Sequence, residues 1–313
     1  MYEGCGKCYN DDMEIPMKRL KSGFGLPELG LGTLQMGGKD APDASNDAAE
    51  VTAIKAALEM GVVHIDTAEA YGQGHTEELV GEAIQGINRR KLFITSKVSK
   101  ENHTCDGILE SCKKSLKRLG TDYLDLYLLH EFSKKCPLEE AVEALDTLAE
   151  KGLVKHIGVS NFTKEHLADA KKLAKHAIVC NQVYYNLVAR ESEQCSQSET
   201  RTGKTETSSL LEFCQKNDVM LVAYRPVEKG KLLEDVPTLM KELCVKYQKT
   251  PAQIAINWLT SQKNVVAIAK TSNVAHLKEN LGAVGWHLTQ GDVELLRREY
   301  PGQVTSPEKH ALG

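Results

Sequence analysis

The 313-residue chain has no surplus of positive charge, and that absence removes two classes of partner at once. Thirty-nine Lys and Arg against 43 Asp and Glu leave a formal net charge of −4 and a pI near 6.2. A nucleic-acid groove or a face for anionic lipid needs a basic excess, so neither partner is expected. No apolar run approaches the ~20 residues that span a bilayer. The start, MYEGCGKCYNDDMEIP, lacks the apolar stretch of a secretory signal, so the chain is expected to stay in the cytosol. Also missing is the GxGxxG turn of a doubly wound dinucleotide fold. Gly30-Leu31-Gly32 and Gly72-Gln73-Gly74 are GxG fragments without the third glycine. The nine cysteines are scattered without a disulfide framework, and a cytosolic protein keeps them reduced. Cys5-Gly-Lys-Cys8 has no second pair to complete a zinc site, so no metal is expected. That pair reads as part of a flexible tail over 1–16.

What is present is alternation. Apolar, strand-like runs at 28–33, 62–66, 92–97, 124–129, 154–160, 178–183, 219–224 and 264–269 alternate with helix-like segments. The helical segments fall at 48–60, 77–85, 107–119, 138–151, 163–175, 210–217, 236–247 with 251–261, and 274–284. Gly61, Gly120 and Gly152 stand behind three of them, as helix-ending residues do. Near-continuous apolar strands indicate a parallel sheet covered by helices. Eight such units close most economically into a (β/α)8 TIM barrel, with an open doubly wound sheet as the competitor. A single barrel domain over 17–313 is therefore expected. Before it, MKRLKSGFGLPEL alternates around Ser22-Gly23 and predicts a β-hairpin plugging the N-terminal mouth. The polar stretch 190–209 has little to bury, and it is expected either as a mobile surface loop or as a flap over the catalytic face.

Four polar residues stand where strands end or just beyond: Asp66 and Tyr71 in HIDTAEAYG, Lys97 in ITSK, and His130 in LYLLH. Singly, each has an ordinary explanation as a cap, a solvated strand end or a structural imidazole. Together they lie on the rim where barrel active sites are built. Hydride reduction of a carbonyl builds negative charge on oxygen, which then takes a proton. A free phenol, with a pKa near ~10, is a weak acid for that task. A neighbouring Lys97 ammonium favours the phenolate and is expected to lower the Tyr71 pKa. A buried Asp66 carboxylate keeps the lysine charged and aimed. His130 donates a hydrogen bond to the carbonyl oxygen. Tyr71 is thus the expected general acid, tuned by Asp66, Lys97 and His130.

These motifs resemble the aldo-keto reductase family. HIDTAEAYG with Glu77, Glu78 and Gly81, then ITSK, LYLLH, GLVKHIGVSNF, CNQVYYN, VAYRP and AKTSNVAHLKEN follow the family's order over roughly 17–296. The resemblance implies a barrel that binds NADPH in extended form at its C-terminal face and reduces an aldehyde or ketone to an alcohol. It implies that Ser160, Asn161 and Gln182 hold the nicotinamide carboxamide and that Tyr224 stacks on the ring. Thr33, Leu34 and Asp66 would border the cofactor, as would Arg225 and Val227. Lys270, Thr271, His276 and Asn280 match the site for the 2′-phosphate and adenine. His276 stands where the family often has Arg, which implies some tolerance of NADH. Ser99 and Glu131 stand where the family commonly has Trp, which implies an open, polar substrate pocket. The expected partner is a small carbonyl compound, and the expected state is a monomer. Two rival readings are a redox-sensing cofactor-binding module with slow turnover and a barrel aldolase using Lys97 as a Schiff-base nucleophile.

Overall fold

The computed structural model describes residues 14–199, 205–300 and 302; the Cys5–Cys8 pair lies outside them. Strands β1 (Met17–Arg19) and β2 (Gly25–Pro27) form the N-terminal hairpin. Six strands follow: β3 (Leu29–Gly32), β4 (His64–Asp66), β5 (Phe93–Val98), β6 (Leu124–Leu129), β7 (Val154–Ser160) and β8 (Ile178–Tyr184). A second hairpin, β9 (Cys195–Glu199) and β10 (Thr205–Ser209), precedes β11 (Met220–Tyr224) and β12 (Val265–Lys270). The helices are α1 (Asp47–Glu59), α2 (His75–Ala83), α3 (Cys105–Leu119), α4 (Leu138–Glu150) and α5 (Lys164–Leu173). They continue with α6 (Leu210–Lys216), α7 (Thr238–Tyr247), α8 (Pro251–Thr260), α9 (Val274–Leu281) and α10 (Gln290–Glu299).

Eight strands close into an all-parallel barrel in the order β11-β12-β3-β4-β5-β6-β7-β8, the architecture expected from the alternation. Their apolar runs are buried because helices cover the outside while side chains fill the inside. Local chemistry agrees with the global fold at the helix ends. Thr250 and Gln253 form a capping box at α8, with Pro251 on the first turn, and Thr104 caps α3. Gly120 closes α3 at a φ of +62°, a left-handed position that costs glycine little.

The β1–β2 hairpin sits against the barrel interior. Leu20, Phe24 and Leu26 pack with Leu126, Val179, Met220 and Val266 in one buried cluster. Its turn is tied down by Asp218, whose carboxylate accepts from the Lys21 and Ser22 amides at 2.7 and 2.8 Å. The opposite, C-terminal mouth is left open for chemistry. No helix among the described residues is long and apolar enough to cross a membrane.

Two segments differ from the sequence reading. Helix α10 lies beyond the last expected unit, capped by Thr289 and packed through Val293 and Leu296. Within 190–209, expected as a mobile surface loop or a flap, the chain pairs as an antiparallel hairpin with Ser209 opposite Cys195. Cys195, Ser196 and residues 207–209 of it do not line the barrel cavity. The hairpin is instead anchored to α5: buried Lys164, 3% exposed, donates to the Ser196 carbonyl at 2.5 Å and the Ser208 carbonyl at 3.0 Å. Lys164→Met keeps the volume and removes that charge-assisted anchor. Amide exchange in β9 and β10 should accelerate about tenfold or more, while the barrel strands stay protected; unchanged exchange there would show that the anchor is idle.

Candidate active site

The side chains at the C-terminal mouth are brought together by strand register. Gly32 pairs with Asp66, Asp66 with Thr95 and Lys97 with Leu128, so neighbouring strands deliver the acid and the ammonium to one level. His130 follows β6 directly and extends its ladder, its amide donating to the Val98 carbonyl at 3.0 Å. Tyr71 begins a tight 3-10 turn over Tyr71–Gly74, in which Gly72, Gln73 and Gly74 all have positive φ. A Cβ on Gly72 would approach the Gly37 carbonyl oxygen to 2.7 Å, so glycine is required where the phenol is presented. The GxG fragment that meant little in the sequence is the hinge that aims Tyr71.

Lys97 is fully buried, and its Nζ donates to Asp66 Oδ1 at 2.5 Å, the Thr67 carbonyl at 2.9 Å and Tyr71 Oη at 3.2 Å. The His130 ring lies edge-on to the Tyr71 ring, with centroids 5.7 Å apart. The other Asp66 oxygen accepts from Gln182 Nε2 at 2.7 Å. From there the hydrogen bonds run on: Ser160 Oγ donates to the Gln182 carbonyl, Asn161 Nδ2 to Ser160 Oγ and the His130 carbonyl, and Tyr224 Oη to Asn161 Oδ1. Asn161 sits at a φ of +56°, a conformation Asn tolerates better than most residues. One polar network thus joins the ends of five strands, β4, β5, β7, β8 and β11, and reaches the His130 carbonyl just beyond β6. On the outer face of β5, buried Glu77 holds Ser96 and Arg118 and so steadies the strand that carries Lys97.

Burial alone would push the Lys97 ammonium down, but Asp66 and then Tyr71 outweigh it and raise its pKa. Tyr71 departs from the sequence expectation. Lys97 does pull the phenol down, yet burial is the larger effect, and the net pKa is raised above the ordinary value. His130 is driven well below its ordinary value, first by burial and then by the Lys97 charge, which keeps the imidazole neutral.

A cavity of about 470 Å³ opens above this network and extends to α9. At one end it is bordered by Tyr71, Ser99, His130 and Glu131, and at the other by Lys270, Thr271, His276 and Asn280. Thr33, Leu34, Asp66, Ser160, Asn161, Gln182, Tyr224, Arg225 and Val227 line the space between. Of the residues expected at the site, Lys97 alone is absent from the wall, lying beneath Tyr71. The sequence reading passed over Lys100 and Glu279, which also line the cavity. Both are charged residues whose position only the fold reveals.

A closed parallel barrel with an acid–ammonium–phenol–imidazole set at its C-terminal mouth defines a class of barrel enzyme. The aldo/keto reductase family model matches residues 28–299, and the chain belongs to that family. Methylglyoxal reductase YeaE of Escherichia coli (strain K12) is 33% identical over 293 residues, covering 92% of this chain and 96% of the relative. The NAD/NADP-dependent indole-3-acetaldehyde reductase of Schizosaccharomyces pombe is 36% identical over 79% of this chain and 82% of its own length. Among solved structures, the thermostable aldo-keto reductase Tm1743, in complex with the inhibitor epalrestat, superposes with a TM-score of 0.83 at 43% identity, covering 90% of this chain and 99% of that one. An aldo/keto reductase from Klebsiella pneumoniae in complex with NADP and acetate gives 0.78 at 31% identity, covering 94% and 99%.

The two shifts set a pH prediction. The phenol keeps its proton beyond the ordinary tyrosine value of 10.0, and the imidazole stays neutral to below the ordinary 6.5. Turnover that needs a protonated phenol and a neutral imidazole should therefore be level between those values. It should fall on the alkaline side only as Tyr71 ionises. A descending limb centred near neutrality in kcat/KM for aldehyde reduction would contradict the assignment.

Proposed function

We propose that this protein reduces an aldehyde or ketone to an alcohol with hydride from NADPH, using Tyr71 as proton donor. The observation that carries the proposal is the buried chain Asp66–Lys97–Tyr71, with 2.5 and 3.2 Å contacts, opening beside a neutral His130 into one elongated cavity. The cavity runs from Tyr71 and His130 to α9, a reach that suits an extended dinucleotide. Its middle offers amides and a hydroxyl for a neutral carboxamide and the Tyr224 ring for a flat heterocycle. Its far end offers Lys270 and the first turn of α9, whose exposed amide groups favour phosphate. Glu279 and Asn280 at that end provide acceptors suited to an exocyclic amine.

When bound, the dinucleotide supplies the hydride. The His130 N–H donates to the substrate oxygen and orients the carbonyl. Tyr71 Oη gives its proton to the oxygen as charge develops there, and the Lys97 ammonium stabilises the phenolate left behind. Asp66 holds Lys97 charged throughout. The same raised Lys97 pKa opposes the Schiff-base alternative, which needs a neutral amine. The slow redox-sensing module has no specific support beyond the cofactor site it would share.

For substrate, the mouth favours small polar carbonyls over flat apolar ketones. Phe132, which follows Glu131, is turned away from the cavity and stacks on His166 with centroids 3.7 Å apart. Large apolar ligands then find little surface to bury against, at ~25 cal/mol per Å². A short hydroxyaldehyde should therefore surpass a steroid ketone in kcat/KM, and the reverse order would overturn the open-pocket reading.

Two substitutions test the chemistry. Tyr71→Phe keeps the ring and removes the proton, so reduction should fall by ~10²-fold or more while NADPH still binds. Near-normal turnover would remove Tyr71 from the role. Lys270→Ala should weaken NADPH by roughly tenfold or more and NADH far less; equal weakening would place the 2′-phosphate elsewhere.

A further inference from the structure

Beside His130 the substrate end of the cavity is walled by an ion pair. Lys100, in the loop after β5, and Glu131, in the loop after β6, approach to 3.1 Å, and both line the cavity. They are 38% and 20% exposed, so the pair is neither free in solvent nor sealed from a ligand. Each side is held from behind. Glu69 accepts from the Ser99 amide at 2.7 Å and from Asn102 Nδ2 at 2.9 Å, which pins the loop carrying Lys100. The Phe132 ring, wedged between Phe162 and His166, pins the loop carrying Glu131.

We infer that Lys100 and Glu131 form a neutralised charge gate that makes this reductase select uncharged polar carbonyls and reject those bearing a charge near the carbonyl. The inference rests on the reductase reading above and deepens it. A carboxylate entering the mouth must take Lys100 from Glu131 and then lie beside that displaced carboxylate. A cationic substituent meets the converse problem with Lys100. A hydroxyl or a second carbonyl group hydrogen-bonds to either partner without separating them. Specificity then comes from like-charge repulsion against the wrong ligand as much as from attraction to the right one. Because the loops that carry them are pinned, the two charges stay at the mouth, and a charged ligand that enters must break their 3.1 Å contact.

The pair makes an opposite-sign prediction that a merely structural role would not. Matched benzaldehydes carrying a para nitro, carboxylate or trimethylammonium group serve as neutral, anionic and cationic probes with NADPH. Comparing variant with wild type cancels their differing intrinsic reactivity. Glu131→Gln frees the Lys100 charge and should raise the anionic-to-neutral ratio of kcat/KM by about fivefold or more, the scale of a partly exposed charge pair. Lys100→Met should lower that ratio and raise the cationic-to-neutral ratio by a similar factor. The swapped variant, Lys100→Glu with Glu131→Lys, should return both ratios to within about twofold of wild type. Ratios unmoved in both single variants, or moved in the same direction, overturn the gate while leaving the reductase reading intact. A wild type that reduces none of the three probes overturns the reductase reading, and the gate with it.

Discussion

A charged ammonium with no exposure to water is the constraint around which this site is organised. Lys97 in the barrel interior would lose several kcal/mol of solvation if left unpaired. Its three acceptors, Asp66, the Thr67 carbonyl and Tyr71, come from β4 and the turn beyond it. Satisfying that ammonium therefore fixes the β4–β5 register and the placement of the phenol together. Asp66 is fixed in turn by Gln182 from the far side of the barrel, so the ion pair depends on barrel closure. Removing one member of such a pair exposes the other to the full penalty of burial, ~3–5 kcal/mol.

The same burial decides protonation states. It raises the Tyr71 pKa more than Lys97 lowers it, and it keeps His130 neutral. On the proposed reading the site thus holds a phenol that still has its proton and an imidazole that donates without carrying charge. Both states suit reduction. On the same reading Lys97 stabilises the negative charge that Tyr71 acquires during the step, a role that does not require the resting phenol to be acidic. Along the cavity the groups separate by place: the phenol and imidazole of the proposed proton transfer over β4 to β6, neutral amides over β7 and β8, and cationic and acceptor groups at β12 and α9.

Much of this was legible because the barrel writes its rim into the sequence. An apolar run that ends in Asp66, Lys97 or His130 announces both the strand and the side chain presented at its exit. The β9–β10 hairpin was not legible: CSQSE and TETSS lack apolar alternation, and their pairing rests on backbone bonds and the Lys164 anchor. Helix α10 was missed because its buried face is narrow, carried chiefly by Val293 and Leu296 in a charged segment. Lys100 in the sequence is one more lysine after a strand; only the fold sets it against Glu131. The sign of the Tyr71 shift needed the depth of burial, which spacing does not encode.

The central claim is that Asp66 acts on catalysis through Lys97 and Tyr71 as one unit. Its most direct test is a double-mutant cycle of Asp66→Asn and Tyr71→Phe, read as kcat/KM for reduction of one small aldehyde. If the three act as a unit, the double variant should be no more than about threefold slower than Tyr71→Phe alone, because the tuned proton donor is already gone. Losses that multiply across the two sites would contradict the account and give Asp66 a separate role.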